Sequence, residues 1–235
     1  MAERRRRTKG AARRQAIVDA AVELIAENEQ PLSHRAAARR AGVPDSAPSY
    51  YFESIEELTV EAFRDAIGAF VERIHLVCRA IRALPVPVVA RLHGAAIGGG
   101  LEIAAACDLR VAAEGTKFSM PEVRLGIPSV VEAALLPRLM GSGRAAWLVM
   151  TGEAIDARRA MEWGLIEEVG GEEAVQVLVG RLLAGERAAL AAQKRLAQLW
   201  DEAPLERSIA ESVRAFAQAY AGGHTIFSRR KGNTN

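Results

Sequence analysis

Three consecutive glycines, Gly98, Gly99 and Gly100, stand in the stretch LHGAAIGGGLEIAAACDLRVA, residues 92–112. Glycine loses more backbone freedom on folding than any other residue, so a triplet inside a regular element is destabilising. It belongs at a turn where the backbone needs special angles or must approach something closely. Leu101, Glu102 and an alanine-rich run follow, which reads as a helix. A helix that begins at Gly99 or Gly100 leaves its first N–H groups without intrahelical partners. Those groups point outward, and the helix dipole adds positive potential there. Glu102 falls in the first turn, where a carboxylate is electrostatically favoured whether or not it has a chemical role.

The flanks are strands. PVPVVARLHG predicts a buried strand over Val88–Leu92, its entry fixed by prolines, and DLRVAA predicts a second. TKFSMPEVRLGIPS predicts a strand running into a helix start at Pro121-Glu122. SGRAAWLVMTG and DARRAMEWG predict helices, the latter capped by Asp156 and closed by Gly164, and LIEEV predicts a short strand. From Glu172 to about Tyr220 the pattern is helical. Strands alternating with helices imply an α/β core with a helical tail.

Upstream the pattern changes. RRQAIVDAAVELIAENE places Ile17, Ala21, Leu24 and Ile25 on one helical face, with Pro31 as the expected stop. Ser33 is the expected cap of a second short helix, HRAAARRAG, ended by Gly42. Asp45 or Ser46 is the expected cap of a third. SIEEL forms a capping box, Ser54 with Glu57, opening a fourth helix through Phe63. VERIHLVCRAIRALP is again helical, to Pro85. The expected division is 1–67, an all-α head; 68–171, an α/β core; and 172–235, a helical tail.

Half of the 235 residues are hydrophobic, enough for a real core, and the net charge of +2 conceals a basic block, RRRRTKGAARR, at residues 4–14. Such a run is either a solvated tail or a polyanion contact. Two cysteines, Cys78 and Cys107, make no disulfide framework and suit a reduced, cytoplasmic protein. No apolar run approaches the about 20 residues of a membrane span, and no secretory signal is expected. No metal-ligand spacing is present. His93 and Cys107 are read as packing residues.

Residues 70–169 resemble the crotonase superfamily, the enoyl-CoA hydratases and isomerases. The resemblance is carried by LPVPVVARLHGAAIGGGLEIAAACDLRVAAEGTKFSMPEVRLGIPS, LLPRLMG and VMTGEAIDARRAMEWGLIEEV. It implies a partial ββα spiral that binds an acyl-CoA thioester and uses no metal or redox cofactor. The Gly99 N–H is then an oxyanion donor, Glu102 and Glu122 move protons, and Gly98, Gly100 and Glu132 line the substrate. Glu132 stands where the commoner family pattern has a glycine-rich turn; a pocket-lining residue and a surface residue are both compatible with it. The resemblance also implies a second oxyanion donor from an Ala-Gly-x-Asp segment upstream of LPVPVVA. Nothing in residues 1–69 resembles that segment, which predicts impaired catalysis, an unpaired sheet edge and an uncovered core face.

Residues 5–63 resemble the DNA-binding domain of TetR-family repressors, through AIVDAAVELIAENE, AARRAGV and YYFESIEELTVEAF. That resemblance implies a helix-turn-helix. Asp45, Ser46, Ala47 and Ser49 would lie on the helix facing DNA bases, and Tyr50 and Tyr51, with Arg13 and Arg14, on phosphates. Three expectations follow: an acyl-CoA enzyme with a DNA-binding head, a transcriptional regulator that uses the crotonase-like part for effector binding or oligomerisation, or a joined product of two genes with no evolved joint function. A regulator would be a dimer, and a crotonase-like protein a trimer.

Overall fold

The first helix forms because apolar residues recur every three or four positions. In α1 (Ala2–Glu27), Ile17, Val18, Ala21 and Leu24 are all buried. A computed structural model describes residues 2–28 and 30–221, with side chains from residue 8 onward. The basic side chains of residues 4–7 and the end of the expected helical tail, 222–235, lie outside that description. The helix stops at Asn28, which adopts φ 52, three residues before the expected stop at Pro31. Asparagine tolerates this left-handed conformation better than most residues and ends helices in this way.

Ser33 caps α2 (His34–Arg40) by accepting from the Ala36 N–H, and Gly42 turns the chain at φ 66. The third helix, α3, is five residues long (Ala47–Tyr51), with Pro48 in its first turn, where its missing N–H is harmless. Neither expected cap works as one. Ser46 makes no side-chain capping bond, and Asp45 pairs instead with Arg35 at 3.1 Å. Ser54 does cap α4 (Ile55–Ala83), accepting from the Glu57 N–H, while the Glu57 carboxylate reaches one residue further back, to the Glu53 N–H.

Helix α4 is continuous where the sequence suggested two helices and a boundary at 67/68. The chain divides instead into units of residues 1–73 and 74–235. In the first, Ile17, Leu24, Ala37, Phe52, Leu58 and Ala62 make the core.

In the second unit, the first four strands alternate between two small sheets. One contains β1 (Val89–Leu92), β3 (Leu109–Ala112) and β6 (Glu168–Val169), in the order β1-β3-β6 and all parallel. The other has β4 (Lys117–Ser119) between β2 (Ala95–Ile97), parallel to it, and β5 (Ile155–Asp156), antiparallel. The very short β2 and β5 carry too few residues for a sequence pattern. Strand β1 is half-buried rather than buried, and its outer edge pairs with no described strand. The core face expected to lie bare is covered in part. Ile74 and Cys78 of α4 pack with Leu101, Phe118, Met120, Leu136 and Leu148.

Helix α5 (Gly99–Ala106) crosses between the sheets, and Cys107 sits just past its end, not on it. Two 3₁₀ turns, Pro121–Leu125 and Val131–Leu135, lead into α6 (Leu136–Met140) and α7 (Ser142–Thr151). Asp156 caps α8 (Ala157–Trp163), and Gly164 closes it at φ 83. Three further helices complete the unit: α9 (Glu172–Leu183), α10 (Arg187–Glu202) and α11 (Leu205–Ala221). No described helix is long and apolar enough to cross a membrane. His93 is exposed rather than packed.

Candidate active site

The glycine triplet lies where β2 turns into α5. Gly98 precedes the helix at φ 53, ψ −124, a region L side chains rarely enter. Its N–H donates to the Ser119 carbonyl at 3.0 Å, and its own carbonyl accepts from Leu101 and Glu102 at 2.9 and 3.0 Å. Gly99 and Gly100 are the first two helical residues, so their N–H groups have no intrahelical acceptor.

A side chain at two of the three glycines would meet the end of a neighbouring side chain. A Cβ at Gly98 would stand 2.6 Å from Oε1 of Glu122. A Cβ at Gly99 would run into Cδ1 of Ile74 and stand 4.0 Å from Oε2 of Glu102. The two carboxylates therefore flank adjoining glycines. Around Gly100 the space is open.

Glu102 is 4% exposed. Its Oε1 accepts from the Ala133 N–H at 3.1 Å, and the Glu132 N–H also turns toward it. Burial pushes its carboxyl up to about 7; the Ala133 N–H opposes the rise and the charges of Glu122 and Glu132 add to it. Glu122 opens the first 3₁₀ turn behind Pro121 and is half-buried, and its Oε2 accepts from the Ser129 hydroxyl at 3.0 Å. Ser129 and Ala133 also line an apolar groove of about 400 Å³ with Val123, Pro128, Val149 and Met150. Glu132 does not line this groove. Its carboxylate, 13% exposed, lies 2.7 Å from Nδ1 of His75.

The enoyl-CoA hydratase/isomerase family profile matches residues 57–224. The chain belongs to this family. A probable enoyl-CoA hydratase of Bacillus subtilis is 37% identical over 125 residues, which is 53% of this chain and 48% of the relative. The crotonyl-CoA hydratase of Syntrophomonas wolfei is 36% identical over 168 residues, 67% of this chain and 65% of the relative. The chain thus spans about half to two thirds of the length of these relatives. Among solved structures, enoyl-CoA hydratase from Thermoplasma volcanium superposes with a TM-score of 0.64 at 28% identity, covering 68% of this chain and 65% of that one. An enoyl-CoA hydratase from Mycobacterium smegmatis does so with 0.63 at 30% identity, covering 66% and 62%. The fold is a mostly helical crotonase-like α/β fold. Enoyl-CoA hydratases of this family use no cofactor, and the CoA thioester is their substrate.

In this enoyl-CoA hydratase/isomerase domain the structure adds groups that the sequence did not single out. Ser129 was inside the matched GIPS segment but carries no motif of its own. Ala133 contributes only a backbone N–H, which leaves no trace in residue type. His75 and Ile74 come from α4, outside any recognisable site pattern. Val131 adopts φ 60, an unusual conformation for a β-branched residue.

Among the described residues of the first unit, the positions expected at DNA differ in exposure and partners. Asp45 and Ser46 precede α3 rather than lying on it. Ala47 is buried in the core of this unit. Ser49 is 3.2 Å from Nδ1 of His34. Arg14 is held by Glu61 at 3.0 Å and lies over the Phe52 ring. Arg13 is exposed, and Tyr50, 83% exposed, meets Tyr51 edge to face.

Proposed function

We propose that this chain binds an acyl-CoA thioester and hydrates or isomerises its double bond, with Glu102 and Glu122 as the proton-transfer pair and the Gly99 N–H as an oxyanion donor. The observation that carries the reading is the placement of the two carboxylates. Oxygens of Glu122 and Glu102 stand beside successive glycines at the start of α5, where free N–H groups and the helix dipole favour a developing negative charge. The apolar groove beside Ser129 and Ala133 suits an acyl chain.

The chemistry needs one proton on the pair. In hydration, one carboxylate takes a proton from water as the water oxygen bonds to Cβ of the enoyl group. The double-bond electrons move toward Cα and the thioester oxygen, where the Gly99 N–H stabilises them. The other carboxyl then gives its proton to Cα, so the proton count of the pair is unchanged. A carboxyl held near neutrality is well matched to this exchange. Isomerisation uses the same pair to remove a proton from one carbon and return one to another.

The test is loss of the conjugated enoyl absorbance of crotonyl-CoA, with a 3-enoyl-CoA for isomerisation. Glu102→Gln and Glu122→Gln should each lower kcat by about 10²–10⁴. Of the two N–H donors such a site uses, Gly99 supplies one within residues 74–235. Lacking the second costs about 10²–10³ in rate, so slow turnover is expected. Turnover unchanged by both substitutions would sink the reading.

A second reading, a DNA-binding head, draws on the exposed Tyr50 and Arg13. It expects retardation of double-stranded DNA that weakens steeply with salt, and a regulator would further respond to acyl-CoA. Light scattering on the same sample reads dimer against trimer. A protein with neither activity would fit the joined-gene expectation.

A further inference from the structure

The second 3₁₀ turn, Val131–Leu135, serves Glu102 and Glu132 together. Its Ala133 N–H donates to Glu102 at 3.1 Å, while the carboxylate of Glu132 on the same turn pairs with His75 at 2.7 Å. The Glu132 side chain is mostly buried, so its charge is weakly screened. Val131 opens the turn in the left-handed region. That conformation is strained for a β-branched residue and persists only where surrounding contacts impose it. His75 adjoins Ile74, whose side chain lies against Gly99. The turn is therefore pinned from two sides, by the Glu102 carboxylate and by the His75 imidazole.

We propose that His75 is a positioning residue for Glu102, acting through Glu132: the His75–Glu132 pair holds the turn whose N–H groups bind Glu102 and governs the negative charge beside it. The inference rests on the reading of Glu102 as an acid–base group. Charged, His75 offsets Glu132 and favours ionised Glu102. Neutral, it leaves Glu132 unopposed and favours protonated Glu102. The other groups acting on this cluster are Glu122 from the first 3₁₀ turn and Cys78 from α4. Burial pushes the Cys78 thiol up to about 11, so it stays uncharged here. Along α4, Glu72 and Arg79 flank His75 on exposed positions.

The experiment is an NMR titration of side-chain carboxyl carbons in the full chain, with the Glu102 signal identified by its absence in Glu102→Gln. His75→Gln should raise the Glu102 midpoint by about half a pH unit or more, and Glu132→Gln should lower it. His75→Arg, which keeps a positive charge, should not raise it. In a Glu132→Gln background, His75→Gln should shift the midpoint less. An unchanged midpoint in folded His75→Gln, or a shift of undiminished size in the Glu132→Gln background, overturns the proposal. No substrate is needed, so this outcome is separable from success or failure of the crotonyl-CoA assay.

Discussion

Gly98 and Gly100 are two residues apart and should respond oppositely to the same substitution. Gly98→Ala forces a side chain into a positive-φ position and places its Cβ 2.6 Å from the Glu122 carboxylate. Either Glu122 moves or the turn does, and both disturb the pair. We expect a loss of about 1–3 kcal/mol and a large drop in crotonyl-CoA turnover. Gly100→Ala meets open space inside a helix and should stabilise by about 0.5–1 kcal/mol. Urea denaturation of the two variants reads both signs. The sequence marked the triplet as a unit; the separate duties of its members depend on which neighbour occupies each Cβ position.

At the scale of elements, two buried cations hold the α/β unit in register. Lys194 of α10 donates to the carbonyls of Ile81 and Val86 at 2.9 and 3.1 Å and pairs with Asp108 at 2.7 Å. Asp108 in turn accepts from the Val88 N–H. One ammonium thus ties the end of α4, the entry to β1 and the start of β3 to a helix far along the chain. Arg110 of β3 acts similarly, bonding the carbonyls of Leu165 and Cys107 and the Glu167 carboxylate. Lys194→Met leaves a partly buried carboxylate and two carbonyls without their donor. It should destabilise by about 3–5 kcal/mol, seen as a lower thermal midpoint. Periodicity could not announce this, because a lysine on an amphipathic helix ordinarily reads as a solvent-facing residue. The sequence was also divided into two helices where α4 is one. The stretch around residue 68 shows no break in helical pattern, and the proposed boundary there came from a change of resemblance, not from a stop signal.

At the scale of the whole molecule, the raised Glu102 carboxyl makes stability depend on pH. In the unfolded chain a glutamate titrates near 4.5, and in the fold Glu102 titrates at about 7. Between those values the native state holds the extra proton. Raising the pH through this window therefore removes stability, in total on the order of 3 kcal/mol. Glu102→Gln keeps the acceptor for the Ala133 N–H but cannot ionise. Its unfolding free energy, measured from pH 4.5 to 8, should lack the decline seen in the parent. What the sequence by itself determined is what short-range chemistry dictates: the glycine turn into a helix, the Ser33, Ser54 and Asp156 caps, most strands of the core, and the family. Capping and turn preferences act within a few residues, and the family is written in contiguous motifs. What only the tertiary structure decided is the company each group keeps. Ala133 bonds a carboxylate 31 residues earlier, and His75 meets a glutamate 57 residues later. Ile74 and Cys78 cover part of a core face that looked bare. Those pairings depend on how whole elements pack, and burial, which sets the proton affinity of Glu102, exists only once they have.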